Sequence, residues 1–374
     1  MQTPGAMSLS ARPQNPLTAE LAHKLGRAMA AAGGWLPFDR FMAMALYEPG
    51  LGYYARGHAV FGTLPEDGSD FVTAPELSPL FGQALAVQVA QALDAAASGQ
   101  VLEFGAGSGA LAAQLLQALG SRVQRYRIVE VSSTLRARQA LRLAPWAGRV
   151  DWLDAWPDTI EGVVVGNEVL DAMPVQLLRW DGQQWFERGV QQAAGGGWAW
   201  ADRPTALRPP LERGFVPGTV TEIHPQAEAF VRSLAQRLLR GAAFFIDYGF
   251  PESEYYHPQR SGGTLMCHRA HRADDNPLLD VGDKDITAHV NFSGLALTAQ
   301  DAGLQVLGYT SQAHFLINCG LPALLQGADV RTVAHAQKLM TEHEMGELFK
   351  VLALSRGIEL DALGFASGDR CHML

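Results

Sequence analysis

The stretch Val101-Leu102-Glu103-Phe104-Gly105-Ala106-Gly107-Ser108-Gly109-Ala110-Leu111 limits the fold more than any other part of the chain. It reads as a short buried strand ending in an acidic residue, then a glycine turn, then the start of an apolar helix. Ala110, Leu111, Leu115, Leu116 and Leu119 have helical spacing, and Gly120 is the residue type that favours closing a helix. Gly105, Gly107 and Gly109 let the backbone turn tightly and approach a ligand with no Cβ in the way. The helix start that follows offers unpaired N–H groups to an anion. Such a unit belongs to a doubly wound α/β sheet, with a nucleoside cofactor lying across Gly105, Ala106, Gly107 and Gly109.

Two cofactors compete for that turn. Gly105, Gly107 and Ala110 satisfy the relaxed dinucleotide fingerprint, which keeps a nicotinamide-dependent oxidoreductase as one alternative. Glu103 favours S-adenosylmethionine, because a strand-end carboxylate can face the aminoacyl group of that donor but would repel a pyrophosphate. Gly109 completes the alternating glycine pattern that methyltransferases use. The second strand, 125–131, carries Glu130 near its end, where a ribose diol needs a bidentate acceptor. The third, 150–153, is followed by Asp154, a candidate for adenine contact.

Composition excludes several classes. With 374 residues, 48% hydrophobic and 18% charged, the chain can bury a sizeable core and is not globally disordered. Its net charge of −9 argues against nucleic acid, which calls for basic patches. Three widely spaced cysteines, Cys267, Cys319 and Cys371, suit reduced thiols and a cytoplasmic location. No apolar run is long enough to insert in a bilayer. Residues 1–16 read as a flexible tail without a secretion signal, and a short transit peptide is left open.

Residues 17–98 read as an N-terminal helical region with a lid loop. Thr18 can cap the first helix, and the loop carrying Gly57, Gly62 and Gly68 ends at Thr73, Pro75 and Glu76, which are placed to fold over the donor. The core spans 99–357, with insertions at about 175–220, 250–285 and 310–347, and a C-terminal tail over 358–374. Within it, 162–166 is all apolar, as at the centre of a parallel sheet, and runs into Asn167-Glu168-Val169-Leu170-Asp171 at the ligand crevice. A hairpin is expected around Asp181-Gly182, a surface connection over 195–210 and a helix over 224–239. Strands follow at 242–247, 304–309 and 348–355, with helical material over 321–345. Cys267-His268-Arg269-Ala270-His271 falls short of a four-ligand zinc site, so no metal is expected.

Several further stretches stand in a telling order: 47–54 (Tyr-Glu-Pro-Gly-Leu-Gly-Tyr-Tyr), 70–76 with Phe81-Gly82, the glycine turn, 129–132, 167–174, Asp247-Tyr248-Gly249, 285–290 and 345–350. Together they resemble the family of the mitochondrial complex I assembly arginine methyltransferase and its bacterial relatives, over about 17–357. The resemblance implies a class I S-adenosylmethionine-dependent methyltransferase: a seven-stranded, mostly parallel sheet, helices on both faces and an antiparallel last strand. It also implies protein arginine methylation, with a respiratory-complex subunit or another basic segment as partner. Ala74 departs from the family's more usual serine, and 175–220 matches only loosely. On that reading Glu168 and Asp171 form the acceptor clamp, since carboxylates bind a guanidinium bidentately, with a turn-capping Asp171 and a solvated Glu168 as the alternative, and Asn167 holds donor or acceptor by its amide. His289 deprotonates an acceptor or lines the pocket, with a structural histidine as the alternative. A non-catalytic docking factor and a homodimer are also left open.

Overall fold

The computed structural model describes residues 16–56, 72–212, 214–269 and 271–374. The tail before residue 16 and the loop glycines at 57, 62 and 68 lie outside the described residues, as do Asp70 and Phe71. The central sheet contains β1 (Gln100–Phe104), β2 (Arg125–Val129), β3 (Val150–Leu153), β4 (Ile160–Asn167), β5 (Leu238–Phe250), β6 (Gln305–Ser311) and β7 (Phe349–Arg356). Across the sheet they run β3-β2-β1-β4-β5-β7-β6. Neighbours from β3 to β5 are parallel, while β7 is antiparallel to both β5 and β6. Beyond the expected seven, Val290–Asn291 adds a short eighth strand, parallel to the end of β5.

Alternation along the strands gives each face its own core. Val163, Val165, Phe244 and Ile246 pack with helices α3 (Pro79–Ala96) and α4 (Ala110–Leu119). Leu102, Val164, Ala243 and Phe245 pack with α6 (Pro225–Arg237) and α7 (Phe292–Asp301). Between them in sequence lies α5 (Ser133–Arg142), after β2. A third core belongs to an accessory layer that joins α1 (Pro16–Ala31) and α2 (Phe38–Tyr47) to two smaller sheets. One sheet contains the expected hairpin, 176–180 against 185–192, together with Leu36–Pro37, Trp198–Pro204 and Val220–Ile223. The other pairs Met266–Arg269 with Arg272–Asp274 and Asp285–Thr287.

Three expectations are corrected. Residues 198–204, taken as a surface connection, form a strand, because Trp198 and Trp200 alternate inward and pack on Phe41 at 6.1 Å and Phe38 at 5.4 Å. The helix over 224–239 stops at Arg237, and fully buried Leu238 already pairs with Ile160 in the sheet. A helix that the spacing of Leu80, Phe81, Leu85, Val89 and Leu93 predicts to run on from Pro75 breaks at Ser78, whose extended backbone lets its hydroxyl cap α3 at Leu80 N. Helical material between β6 and β7 is split into α8 (Gln312–Asn318), α9 (Val330–Met340) and shorter turns at Leu321–Leu324 and Met345–Leu348.

Residues 358–374 are docked on β6, whose outer edge would otherwise show unpaired peptide groups. Tyr309 N donates to Asp369 at 3.0 Å, Thr310 Oγ1 to Gly368 O at 2.6 Å and Arg370 N to Tyr309 O at 2.6 Å. Phe365 reaches in beside Phe315, with ring centroids 5.4 Å apart. Among the described residues, no helix is long and apolar enough to cross a membrane.

Candidate functional site

A cavity of about 660 Å³ opens past the carboxyl ends of β1, β2 and β4, within the size range of small-molecule sites. At one end lies the glycine turn. Gly105, Gly107 and Gly109 have φ of +66°, +51° and +81°, a left-handed conformation that disfavours any side chain. Gly109 caps α4 and is not among the lining residues, whereas Gly105, Ala106 and Gly107 are. A Cβ on Gly105 would also come within 2.5 Å of Val169 Cγ2.

Acidic side chains stand beside the turn. Buried Glu103 accepts from Tyr126 Oη at 2.6 Å, and burial pushes its carboxyl up to about 7 against that hydrogen bond. Glu130 accepts from Ser132 N at 2.8 Å and lines the cavity, its pKa likewise raised by burial. A residue that sequence reasoning missed ties Glu130 to the turn. Fully buried Gln139 on α5 donates to Gly107 O at 2.9 Å and to Glu130 at 3.2 Å, and accepts from Trp152 Nε1 at 2.8 Å. Over the turn, Glu76 accepts from Ser108 Oγ and, at 3.0 Å, from Arg142. Gln114 donates to Pro75 O at 2.7 Å, and Thr73, Pro75 and Glu76 all line the cavity.

The other end is rich in carboxylates. Asn167, the last residue of β4, donates from Nδ2 to Glu168 at 2.8 Å and leaves a buried Oδ1 without a partner. Glu168 has φ of +53°, a conformation uncommon for a non-glycine residue and one that collects at functional sites. The loop is held by Asp247, whose Oδ2 accepts from the peptide N–H of Val169 at 3.0 Å, Leu170 at 2.8 Å and Asp171 at 3.3 Å. Burial, then the neighbouring Asp247, pushes Glu168 up to about 8. Asp171 lies well above the usual carboxylate range for the same reasons, with Glu168 and Asp285 adding to the effect. Burial holds Asp247 at about 7 despite its peptide hydrogen bonds. Asn167, Glu168 and Asp171 line the cavity, with Tyr47, Tyr54, Tyr248, His268, Asp285 and Thr287. The stretches around Tyr47, Tyr54, Asp247 and Asp285 had stood out in the sequence, but no role followed from them.

Two candidates sit elsewhere. The Asp154 side chain is 87% exposed and pairs with Arg136 at 2.6 Å, so it turns to solvent and not to the cavity. His289 stacks on Tyr248 with centroids 6.0 Å apart and lies against Phe250 at 5.1 Å, and it is not among the lining residues. Burial, with Arg260 and Lys350 nearby, pushes its imidazole down to about 4, the behaviour of a neutral packed histidine. Cys267 is buried in its strand, and among the described residues no group of three or more His, Cys, Asp or Glu is arranged to hold a metal.

The residues present suit S-adenosylmethionine. The glycines of the turn admit a ligand closely, Glu103 and Glu130 line the cavity as acceptors, and Asn167, also in the lining, carries a buried Oδ1 without a partner. Strand order, the antiparallel β7 and the glycine turn after β1 define a class I S-adenosylmethionine-dependent methyltransferase.

Residues 84–310 match the model of the family described as "Putative S-adenosyl-L-methionine-dependent methyltransferase", and the chain belongs to that family. It is similar to a Burkholderia thailandensis protein crystallised with S-adenosyl-homocysteine, with a TM-score of 0.93 and 50% identity over 98% of this chain and 100% of that one. A second Burkholderia thailandensis crystal structure, in a native form, gives a TM-score of 0.88 at 48% identity, covering 98% of this chain and 100% of that chain. The mouse mitochondrial protein arginine methyltransferase NDUFAF7 is 28% identical over 91% of this chain and 85% of its own length. Its human counterpart is 27% identical over 91% and 84%.

Proposed function

We propose that this methyltransferase modifies an arginine side chain of a protein. The observation that carries the reading is the carboxylate end of the cavity. Glu168, Asp171 and Asp285 line it together, and no lysine or arginine is among the described residues that line it. Buried carboxyls of this kind either take up protons or take in a cation. A protein guanidinium is such a cation, and the mouse and human relatives named above as protein arginine methyltransferases favour the same acceptor.

S-adenosylmethionine, bound across the glycine turn, would supply an electrophilic methyl group on a sulfonium. The chain's own residues do the rest by position. Glu168 and Asp171 bind the guanidinium through paired N–H bonds and turn one nitrogen toward the methyl group. The charge of Asp171 draws the positive charge of the guanidinium onto the nitrogens it holds, which leaves the attacking nitrogen, held by Glu168, richer in electrons. Methylation then requires that nitrogen to lose a proton. The bound guanidinium favours the ionised form of Glu168, and that carboxylate can accept the proton. Asn167, hydrogen-bonded to Glu168, fixes the orientation of that carboxylate.

The test is incubation of the protein with S-adenosylmethionine labelled in its methyl group and with arginine-containing peptides or a host lysate. Hydrolysis of the labelled protein to amino acids should return the label as methylarginine. Label on another side chain would overturn the arginine reading. Donor binding without transfer to any protein would favour a docking role.

A further inference from the structure

One wall of the cavity comes from the accessory layer, outside the methyltransferase sheet. Tyr54 donates from its hydroxyl to Asp285 at 2.9 Å and stacks on Tyr47, with centroids 5.6 Å apart and an interplanar angle of 19°. Tyr47 donates to Ala172 O at 2.8 Å, and Ala288 N donates to Asp171 O at 2.9 Å. These contacts join the wall to the loop that carries Glu168 and Asp171. The wall is also anchored from behind: Thr18 donates to Asp283 at 2.9 Å, in place of the helix-capping role its position suggested, and Arg56 pairs with the same carboxylate. Ile286 is fully buried in the accessory core. Asp285 is therefore held at the cavity by packing and hydrogen bonds that owe nothing to a ligand.

We propose that Asp285, oriented by Tyr54, is a third acidic contact for the acceptor, from a second side of the cavity, and makes the site selective for a guanidinium over an ammonium. The proposal rests on the arginine reading above and deepens it. A guanidinium is planar and carries N–H donors along several edges, so carboxylates on two sides of a cavity can hold it at once. An ammonium is a compact, strongly hydrated charge that one carboxylate serves nearly as well. Glu168 and Asp171 approach from the β4 loop, and Asp285 approaches from the accessory layer. Asp285 is near enough to raise the carboxyls of both further. The stacked Tyr47 and Tyr54 rings beside these groups suit a flat, weakly hydrated cation.

The experiment uses one peptide in arginine and lysine versions, with labelled S-adenosylmethionine, on the wild type, Asp285→Asn and Tyr54→Phe. Calorimetry with S-adenosyl-homocysteine reports donor-site integrity in each. The expected result is transfer to the arginine peptide only. Its KM should rise about tenfold to a hundredfold in Asp285→Asn, the size of a lost charged hydrogen bond, with S-adenosyl-homocysteine affinity within about twofold. Tyr54→Phe should raise KM in the same direction by less. An unchanged arginine KM in Asp285→Asn overturns the inference and leaves the arginine reading standing, whereas equal use of the lysine peptide overturns both. Should Asp285→Asn lose its fold, an unchanged KM in Tyr54→Phe overturns the inference instead. If the wild type transfers to neither peptide, the arginine reading fails and binding to the protein loaded with S-adenosyl-homocysteine decides. Tighter binding of the arginine peptide, lost in Asp285→Asn, supports the contact; equal or absent binding overturns it.

Discussion

The glycine-turn end of the cavity comes mainly from one stretch of the chain, Glu103 to Leu135, with Thr73, Pro75 and Glu76 laid over it, whereas the carboxylate end is gathered from the segments around Tyr47, Glu168 and Asp285. The first end is a single strand–turn–helix–strand unit whose backbone geometry is set by left-handed glycines. The second exists only when the accessory layer, with its own hydrophobic core, docks on the sheet. The difference separates two properties. A local unit is enough to hold a nucleoside donor, but choosing an acceptor requires parts of the chain far apart in sequence to meet. Substitutions should divide accordingly into those that move donor affinity and those that move acceptor use.

The largest effect is expected from Glu168→Gln. Replacing a charge aimed at the reacting nitrogen should lower kcat by about a hundredfold to a thousandfold, with donor affinity within about twofold by calorimetry. A parallel loss of donor affinity would mean that the two ends are not separable. Gly107→Val should do the reverse. A branched residue at φ +51° carries about 1–3 kcal/mol of strain, so donor affinity should fall about tenfold to a hundredfold. Acceptor KM at saturating donor should stay put.

Asp247→Asn sharpens the contrast, because Asp247 touches the cavity only through the loop it holds by three peptide N–H groups. Turnover should drop about tenfold to a hundredfold, and the pH–rate profile should shift because the Asp247 charge no longer raises Glu168. Glu168→Asp in the same background should restore little. A purely structural role would lower the melting temperature and leave the profile where it was.

The acidic cluster also predicts how stability depends on pH. A carboxyl whose folded pKa lies above its unfolded value binds more protons folded than unfolded between the two. For Glu168, raised from 4.5 to about 8, stability is therefore greatest below the lower value and falls as pH rises through the upper one. The melting temperature of the ligand-free protein should drop between about pH 4.5 and pH 8, and Glu168→Gln should flatten that drop. The smallest effect belongs to Asp154→Ala. Its carboxylate faces solvent beside Arg136, so donor affinity should change by less than about twofold. A larger loss would restore Asp154 to the donor site.

Sequence reasoning reached the two ends unequally, for the same physical reason that they differ. Glu103, Gly105, Gly107 and Glu130 could be picked out because strand periodicity and glycine spacing are short-range signals, and these residues do line the cavity. Glu168 and Asp171 were also legible, since polar residues just past a central apolar strand face a crevice. Asp247 and Asp285 were not, because their roles appear only once β5 and the 285–287 strand are brought beside the β4 loop. Gln139 escaped too, since a polar residue on an otherwise polar helix gives no sign of being fully buried. His289 and Asp154 misled in opposite ways. One is a ring packed behind Tyr248, and the other is a strand-end acid whose neighbour Arg136 draws it outward. The strand at 198–204 was hidden by adjacent glycines, although Trp198 and Trp200 carried the alternation that reveals it.

The most direct test is a crystal of this protein grown with S-adenosyl-homocysteine. The account predicts density across Gly105–Gly109, with the ribose at Glu130 and the sulfur turned toward Glu168. Density in any other part of the molecule, or a sulfur pointing away from Glu168 and Asp171, would contradict it.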